Sequence, residues 1–156
     1  MVGQVTANTL FTIGYEGAVV DDFIATLLKV GVQTVIDIRD IPVSRRRGFS
    51  KSSLSQHCVD QGLTYVHLRP LGDPKEGREA ARAGRYEQFH TIFSTHLSTL
   101  GAQSALSEAI KIASDSVSCL LCYERDHRFC HRNIVAGEMR KLGAFTLRHI
   151  GVPQGK

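Results

Sequence analysis

Residues 122–132, CYERDHRFCHR, put two cysteines, two histidines, three arginines and two carboxylates into eleven positions. Four chemistries use such residues. A metal site would draw on Cys122, His127, Cys130 and His131, all zinc-type ligands. The C-x7-C-H spacing matches no closed zinc motif, so no metal is assigned; Cys122, Cys130 and His131 remain the metal alternative. A reactive thiol would be Cys130, beside His131, Arg128 and Arg132 at an expected helix start, where dipole and positive charge lower a thiol pKa. A phosphate-wrapping loop is suggested by C-x5-R from Cys122 to Arg128. Its interior carries Glu124 and Asp126, whose charges repel a phosphate, and the match is accidental. Last, Glu124 could orient Arg132 or Arg39 so that guanidinium groups face an anion. Against all four stands a plain charged turn.

Two other clusters have the same character. In DIRDIPVSRRRGFSK (37–51), Asp37 and Arg39 lie two apart and so share a side of an extended strand. Ser44, Arg45, Arg46, Arg47 and Lys51 follow as a candidate anion clamp, or as a solubilising basic loop. In GYEG (14–17), Gly14 and Gly17 permit a tight turn before a helix N-terminus. Tyr15 and Gly17 are candidate ligand contacts there, and Glu16 is a candidate acid or base. A longer segment, LRPLGDPKEGREAARAGRYEQF (68–89), carries Arg69, Lys75, Arg78, Arg82 and Arg85. Its length and punctuation suit a binding loop.

These clusters need elements to hold them. Apolar, β-branched runs predict strands at 9–14, 33–39, 64–68, 116–122 and 144–150. Helical periodicity and end signals predict helices at 21–31, 50–62, 86–100, 104–114 and 129–143, with a short one within 78–85. The alternation implies parallel strands joined by helical crossovers. The expected fold is a three-layer αβα domain over 1–156, Rossmann-like, with a mostly parallel central sheet of about five strands. Residues 1–8 and 151–156 read as flexible ends. In such sheets ligands bind beyond the carboxyl ends of the strands, where all the clusters above fall.

Composition narrows the partners. A formal charge of +4 fits an anionic ligand without demanding one. No apolar run approaches the roughly 20 residues that span a bilayer. The start lacks the charged and apolar regions of a signal peptide. A cytoplasmic location is expected, with the four cysteines free, ligating or reactive rather than paired.

Four blocks in order, TIGYEG, DIRDIPVSRRRGFSK, GLTYVHLRPLG and LLCYERDHRFCHR, resemble the domain of unknown function 488 family. The matching residues are Gly14, Tyr15, Gly17, Asp37, Arg39, Pro42, Ser44, Phe49, Tyr65, Leu71, Gly72, Cys122, Glu124, Cys130, His131 and Arg132. The resemblance implies an α/β sandwich domain and joins the D-x-R and C-H-R blocks in one pattern. It supplies no reaction, and the cofactor is left unknown.

The expectation is therefore a small enzyme or ligand-binding domain for a phosphate-bearing anion, such as a nucleotide or a nucleic-acid end. Arg39 and Arg132 would hold the anion. Glu124 or Glu16 would serve as acid or base, and Cys130 or His131 as nucleophile or proton shuttle. Tyr15, Gly17, Asp37, Ser44 and Arg45 would complete the cleft. The alternative is a non-catalytic nucleic-acid-binding module built on the basic loops. Against it, aromatics make up only 7% of the chain and tryptophan is absent, which leaves few residues for stacking bases.

Overall fold

Alternating buried faces set the architecture. The computed structural model describes residues 9–153. Five strands, β1 (Thr9–Gly14), β2 (Thr34–Asp37), β3 (Thr64–His67), β4 (Ser118–Cys122) and β5 (Thr146–Ile150), form one parallel sheet in the order β3-β2-β4-β1-β5. β1, β2 and β4 are buried at every position, as interior parallel strands covered on both faces must be. Leu10, Ile36 and Leu120 point to one face and Phe11, Val35, Cys119 and Leu121 to the other.

Helices cover both faces, giving three layers. α1 (Val20–Lys29) and α2 (Lys51–Asp60) pack on the second face through Phe23, Leu27, Leu54 and Cys58. α3 (Lys75–Arg82), α4 (Tyr86–Leu97), α5 (Leu100–Asp115) and α6 (His131–Gly143) contribute Ala80, Phe93, Ala109 and Val135 to the first. α1 carries Asp21 and Asp22 in its first turn and Lys29 in its last, which complements its dipole. The crossovers after β1 and β2 lie on one face and those after β3 and β4 on the other. The central strands β2, β4 and β1 therefore border a topological switch, where a crevice opens at the carboxyl ends.

Most predicted elements stand, with shifted ends. α3 begins at Lys75, earlier than residue 78, and α6 begins at His131 rather than 129. A 3-10 turn over His127–Phe129 precedes α6, and Cys130 is its N-cap, with Sγ accepting from the Arg132 backbone N–H. The expected flexible tail does not begin at 151: Val152 is fully buried and its carbonyl accepts from Arg125 Nη1 at 2.5 Å. The expected flexible start at 1–8, and residues 154–156, lie outside the described residues. No helix among the described residues is long and apolar enough to cross a membrane.

Candidate functional site

Backbone bonds carry the sheet pairing past the strand ends and fix the loops of the crevice. The Tyr15 and Glu16 N–H groups donate to the carbonyls of Cys122 and Tyr123, and Ile38 N–H donates to Leu121. The Glu16 carboxylate accepts from the Arg125 backbone N–H at 3.0 Å. Glu16 thus ties the β1 turn to the β4 loop and does not line the crevice, unlike the acid–base role the sequence suggests. Gly17 adopts φ 76°, where a side chain is strained. A Cβ on Gly14 would overlap the Glu124 carbonyl, so only glycine lets β1 pass beneath the β4 loop.

Asp37 and Arg39 form a buried pair, as their spacing anticipates. Asp37 is 0% exposed and Arg39 6%. The Asp37 carboxylate accepts from Arg39 Nε and Nη2, from the Arg39 backbone N–H and from the Tyr65 hydroxyl. Arg39 Nη1 donates to the Phe49 carbonyl at 2.6 Å and to the Tyr15 hydroxyl at 3.3 Å. Burial disfavours the Arg39 charge, but the bonds to Asp37 outweigh it and hold the guanidinium above its ordinary range. Burial and the adjacent Asp37 charge likewise raise Tyr65.

Arg132 has a similar fate. It is 1% exposed and donates to Thr12 Oγ1 at 3.1 Å, Cys122 Sγ at 3.1 Å, and the carbonyls of Glu124 and Arg125. Burial lowers its pKa to about 10, so it stays charged at neutral pH. Both guanidinium groups expected to grip an anion are thus committed to the protein itself. Glu124 meets Arg132 through its backbone carbonyl and not its carboxylate, which lies 4.0 Å from Cys122 Sγ.

The crevice is a cavity of about 930 Å³. Its floor holds Cys122, Cys130, His131, Glu124 and Asp73. Tyr15, Gly17, Arg39 and Asp40 form a wall, and Ser44, Arg45, Arg46, Arg78 and Arg82 carry its polar rim. Ile41, Val43, Tyr86, Tyr123 and Phe129 line it with large apolar surfaces that are exposed; Tyr86 and Phe129 stack at 4.9 Å. Ser44 shapes the basic loop: its Oγ accepts from the Arg46 N–H and its own N–H donates to Ser50 Oγ. Arg46 Nε donates to the Ala18 carbonyl, and Arg78 bonds Asp40 and the Asp73 carbonyl. Arg45 and Arg82 are exposed and make no side-chain hydrogen bond or ion pair among the described residues.

Several expected residues therefore converge: Tyr15, Gly17, Arg39, Ser44, Arg45, Glu124, Cys130 and His131 line one cavity. Asp37, Arg132 and Glu16 stand behind it as supports. The Cys122 and Cys130 sulfurs are joined as a disulfide, against the expectation that the cysteines are unpaired, so Cys130 is not the free thiol that a nucleophile role assumes; Cys58 and Cys119 are free and buried. His131 Nε2 lies 2.7 Å from the Ile38 carbonyl and Nδ1 3.6 Å from Cys130 Sγ. Burial pushes its pKa down to about 4, against the Ile38 bond, so the imidazole is neutral at pH 7.

Asp73 is the residue that sequence reasoning missed. It is 5% exposed, and its Oδ1 is buried without a hydrogen-bond partner. Burial raises its pKa to about 7, opposed by Arg78 and reinforced by Glu124 and Asp40. Burial also raises Glu124. A carboxyl with a pKa of about 7 in a cavity, as at Asp73, is the kind of group that gives or takes protons near neutral pH, and Glu124 beside it is shifted in the same direction. The available signal was its place in LGDPKEG, just after β3.

The linkage has a definite sign. The native state binds the Asp73 proton more tightly than the unfolded chain, whose carboxyl has its ordinary value of 3.8. The stabilisation from this proton is complete below pH ~4 and is lost as pH rises towards about 7. Asp73→Asn removes that loss. The melting temperature of the variant relative to the native protein should climb from pH 4 to pH 7 and level off above. A pH-independent difference would show that Asp73 titrates normally.

Residues 19–139 match the family model described as a domain of unknown function, DUF488. No curated protein and no solved structure matches the chain. The matched span runs from the β1 turn into α6 and contains every lining residue of the cavity except Tyr15 and Gly17. On that coverage, the chain belongs to the DUF488 family.

Proposed function

We propose that the protein is a small cytoplasmic enzyme acting on a phosphate-bearing ligand, a nucleotide or a nucleic-acid end, in the cavity at the carboxyl ends of β1, β2 and β4. The observation that carries this reading is the pairing of opposites in one cavity: free guanidinium groups on Arg45 and Arg82, and two buried carboxyls, Asp73 and Glu124, biased towards their neutral forms. In its protonated form Asp73 can face a phosphate without like-charge repulsion and can donate a proton to a leaving oxygen. Arg45 and Arg82 supply charge-assisted hydrogen bonds to the anion. The exposed Tyr86–Phe129 stack offers a surface for a base or another flat group. Arg39 and Arg132 act as positioning residues and do not touch the ligand.

A thermal-shift screen against nucleoside mono-, di- and triphosphates and 5′-phosphorylated oligonucleotides tests this. A saturable rise in melting temperature is expected with at least one class. Arg45→Ala/Arg82→Ala should weaken affinity by tenfold or more, since a charge-assisted bond contributes about 1.5–3 kcal/mol. Asp73→Asn should keep binding and reduce turnover. Binding only to long oligonucleotides, with steep salt dependence and indifference to Asp73, would favour a non-catalytic nucleic-acid module instead.

A further inference from the structure

We propose that Cys122, Cys130 and His131 form a transition-metal site of the zinc class on the cavity floor. This goes beyond the phosphate-ligand reading and does not depend on it. The two sulfurs and one ring nitrogen of His131 all lie within 4.8 Å of one another, and all three residues are buried and line the cavity. The sequence argued against a metal because C-x7-C-H matches no closed zinc motif. The 3-10 turn at His127–Phe129 folds the α6 start back over the end of β4 and closes that gap.

The surroundings suit ligation. The Ile38 carbonyl can only accept, so at 2.7 Å it fixes the hydrogen on His131 Nε2. Nδ1 is left with its lone pair towards Cys130 Sγ, 3.6 Å away. A carbonyl behind the far nitrogen of a histidine is the usual support of a metal ligand. Each sulfur also has a donor that favours thiolate: Arg132 Nη1 on Cys122, and the Arg132 backbone N–H on Cys130. Two thiolates neutralise a divalent ion. Thiolate and imidazole together select zinc over magnesium or calcium.

Three protein ligands facing a cavity leave one position for water, substrate or the Glu124 carboxylate, the pattern of catalytic rather than structural zinc. The competing use of the sulfurs is the disulfide that joins them in this structure, so the metal site belongs to the reduced protein. The Cα atoms are 7.6 Å apart, beyond the roughly 4.4–6.8 Å usual for bridged cysteines. That separation suits sulfurs flanking an ion, which side-chain rotation would admit between them.

The test uses Co²⁺ alone, without nucleotide, on full-length protein that has been reduced and stripped with a chelator. One equivalent should produce intense visible d–d bands of a tetrahedral ion and a thiolate-to-cobalt charge-transfer band, both erased by Zn²⁺. Cys122→Ser and Cys130→Ser should each weaken binding by about tenfold or more and diminish the charge-transfer band. Arg45→Ala/Arg82→Ala should keep the cobalt spectrum while losing the nucleotide-induced thermal shift, so either proposal can fail alone. Reduced native protein that gives no charge-transfer band overturns the metal site. So does an intact mass two hydrogens light that persists in reductant, because the sulfurs are then a covalent bridge.

Discussion

Asp37→Asn should be among the most damaging single changes in the protein, lowering stability by about 3–5 kcal/mol. The carboxylate binds four donors on two residues and has no access to water. Asparagine removes the charge but leaves the Arg39 guanidinium buried. It also presents an amide N–H₂ to donors that need an acceptor. At about 2–4 °C per kcal/mol for a chain of this size, the melting temperature should fall by about 10 °C. The companion change distinguishes a lost pair from a lost shape. Asp37→Asn/Arg39→Met removes the stranded cation and should recover part of the loss, a coupling that a double-mutant cycle reads directly. A single-variant loss below about 1 kcal/mol would mean that the pair does not hold the β2 end in place.

Arg132→Met should cost a similar amount, for a different reason. Methionine fills much of the space, so the loss is of hydrogen bonds rather than volume. The Thr12 hydroxyl and the carbonyls of Glu124 and Arg125 lose their donor. A buried group left unsatisfied costs about 1–3 kcal/mol, giving a loss of roughly 3–5 kcal/mol with partial hydration of the loop. Because Arg132 ties α6 to both β1 and the β4 loop, the damage should also be local. Amides from 123 to 126 should exchange hydrogen faster than those of α5 in the same sample. Arg132→Lys keeps the charge but cannot reach four acceptors, so it should fall between the two. Equal stability of Arg132→Met and the native protein would contradict the bracing role.

Much of this was legible in the residues. The five strands and their helices follow from apolar runs and end signals, because buried parallel strands leave few other readings. The spacing of two between Asp37 and Arg39 put them on one side of an expected strand, and although β2 ends at Asp37 the two side chains do meet. The strand order does not: β4 inserts between β2 and β1, a choice made by packing between elements far apart in sequence. The roles of the arginines also escaped sequence reasoning. Arg39 and Arg132 read as anion ligands by type, yet burial commits them to internal acceptors. Arg82, one of many charges in its segment, gains access to the cavity only through the placement of α3. Asp73 is an ordinary aspartate until its surroundings remove its partners. The sulfurs of Cys122 and Cys130 are eight residues apart, and only a tight turn brings them together.

The central claim is that the cavity receives a phosphate-bearing ligand, and amide chemical-shift mapping with adenosine diphosphate tests it most directly. Saturable shifts should cluster at Gly17, Ser44–Arg46, Asp73, Cys122–Glu124 and Phe129–His131, and should fade in Arg45→Ala/Arg82→Ala. Shifts that fail to saturate, or that gather around remote surface cations such as Lys111 and Lys141, would contradict it.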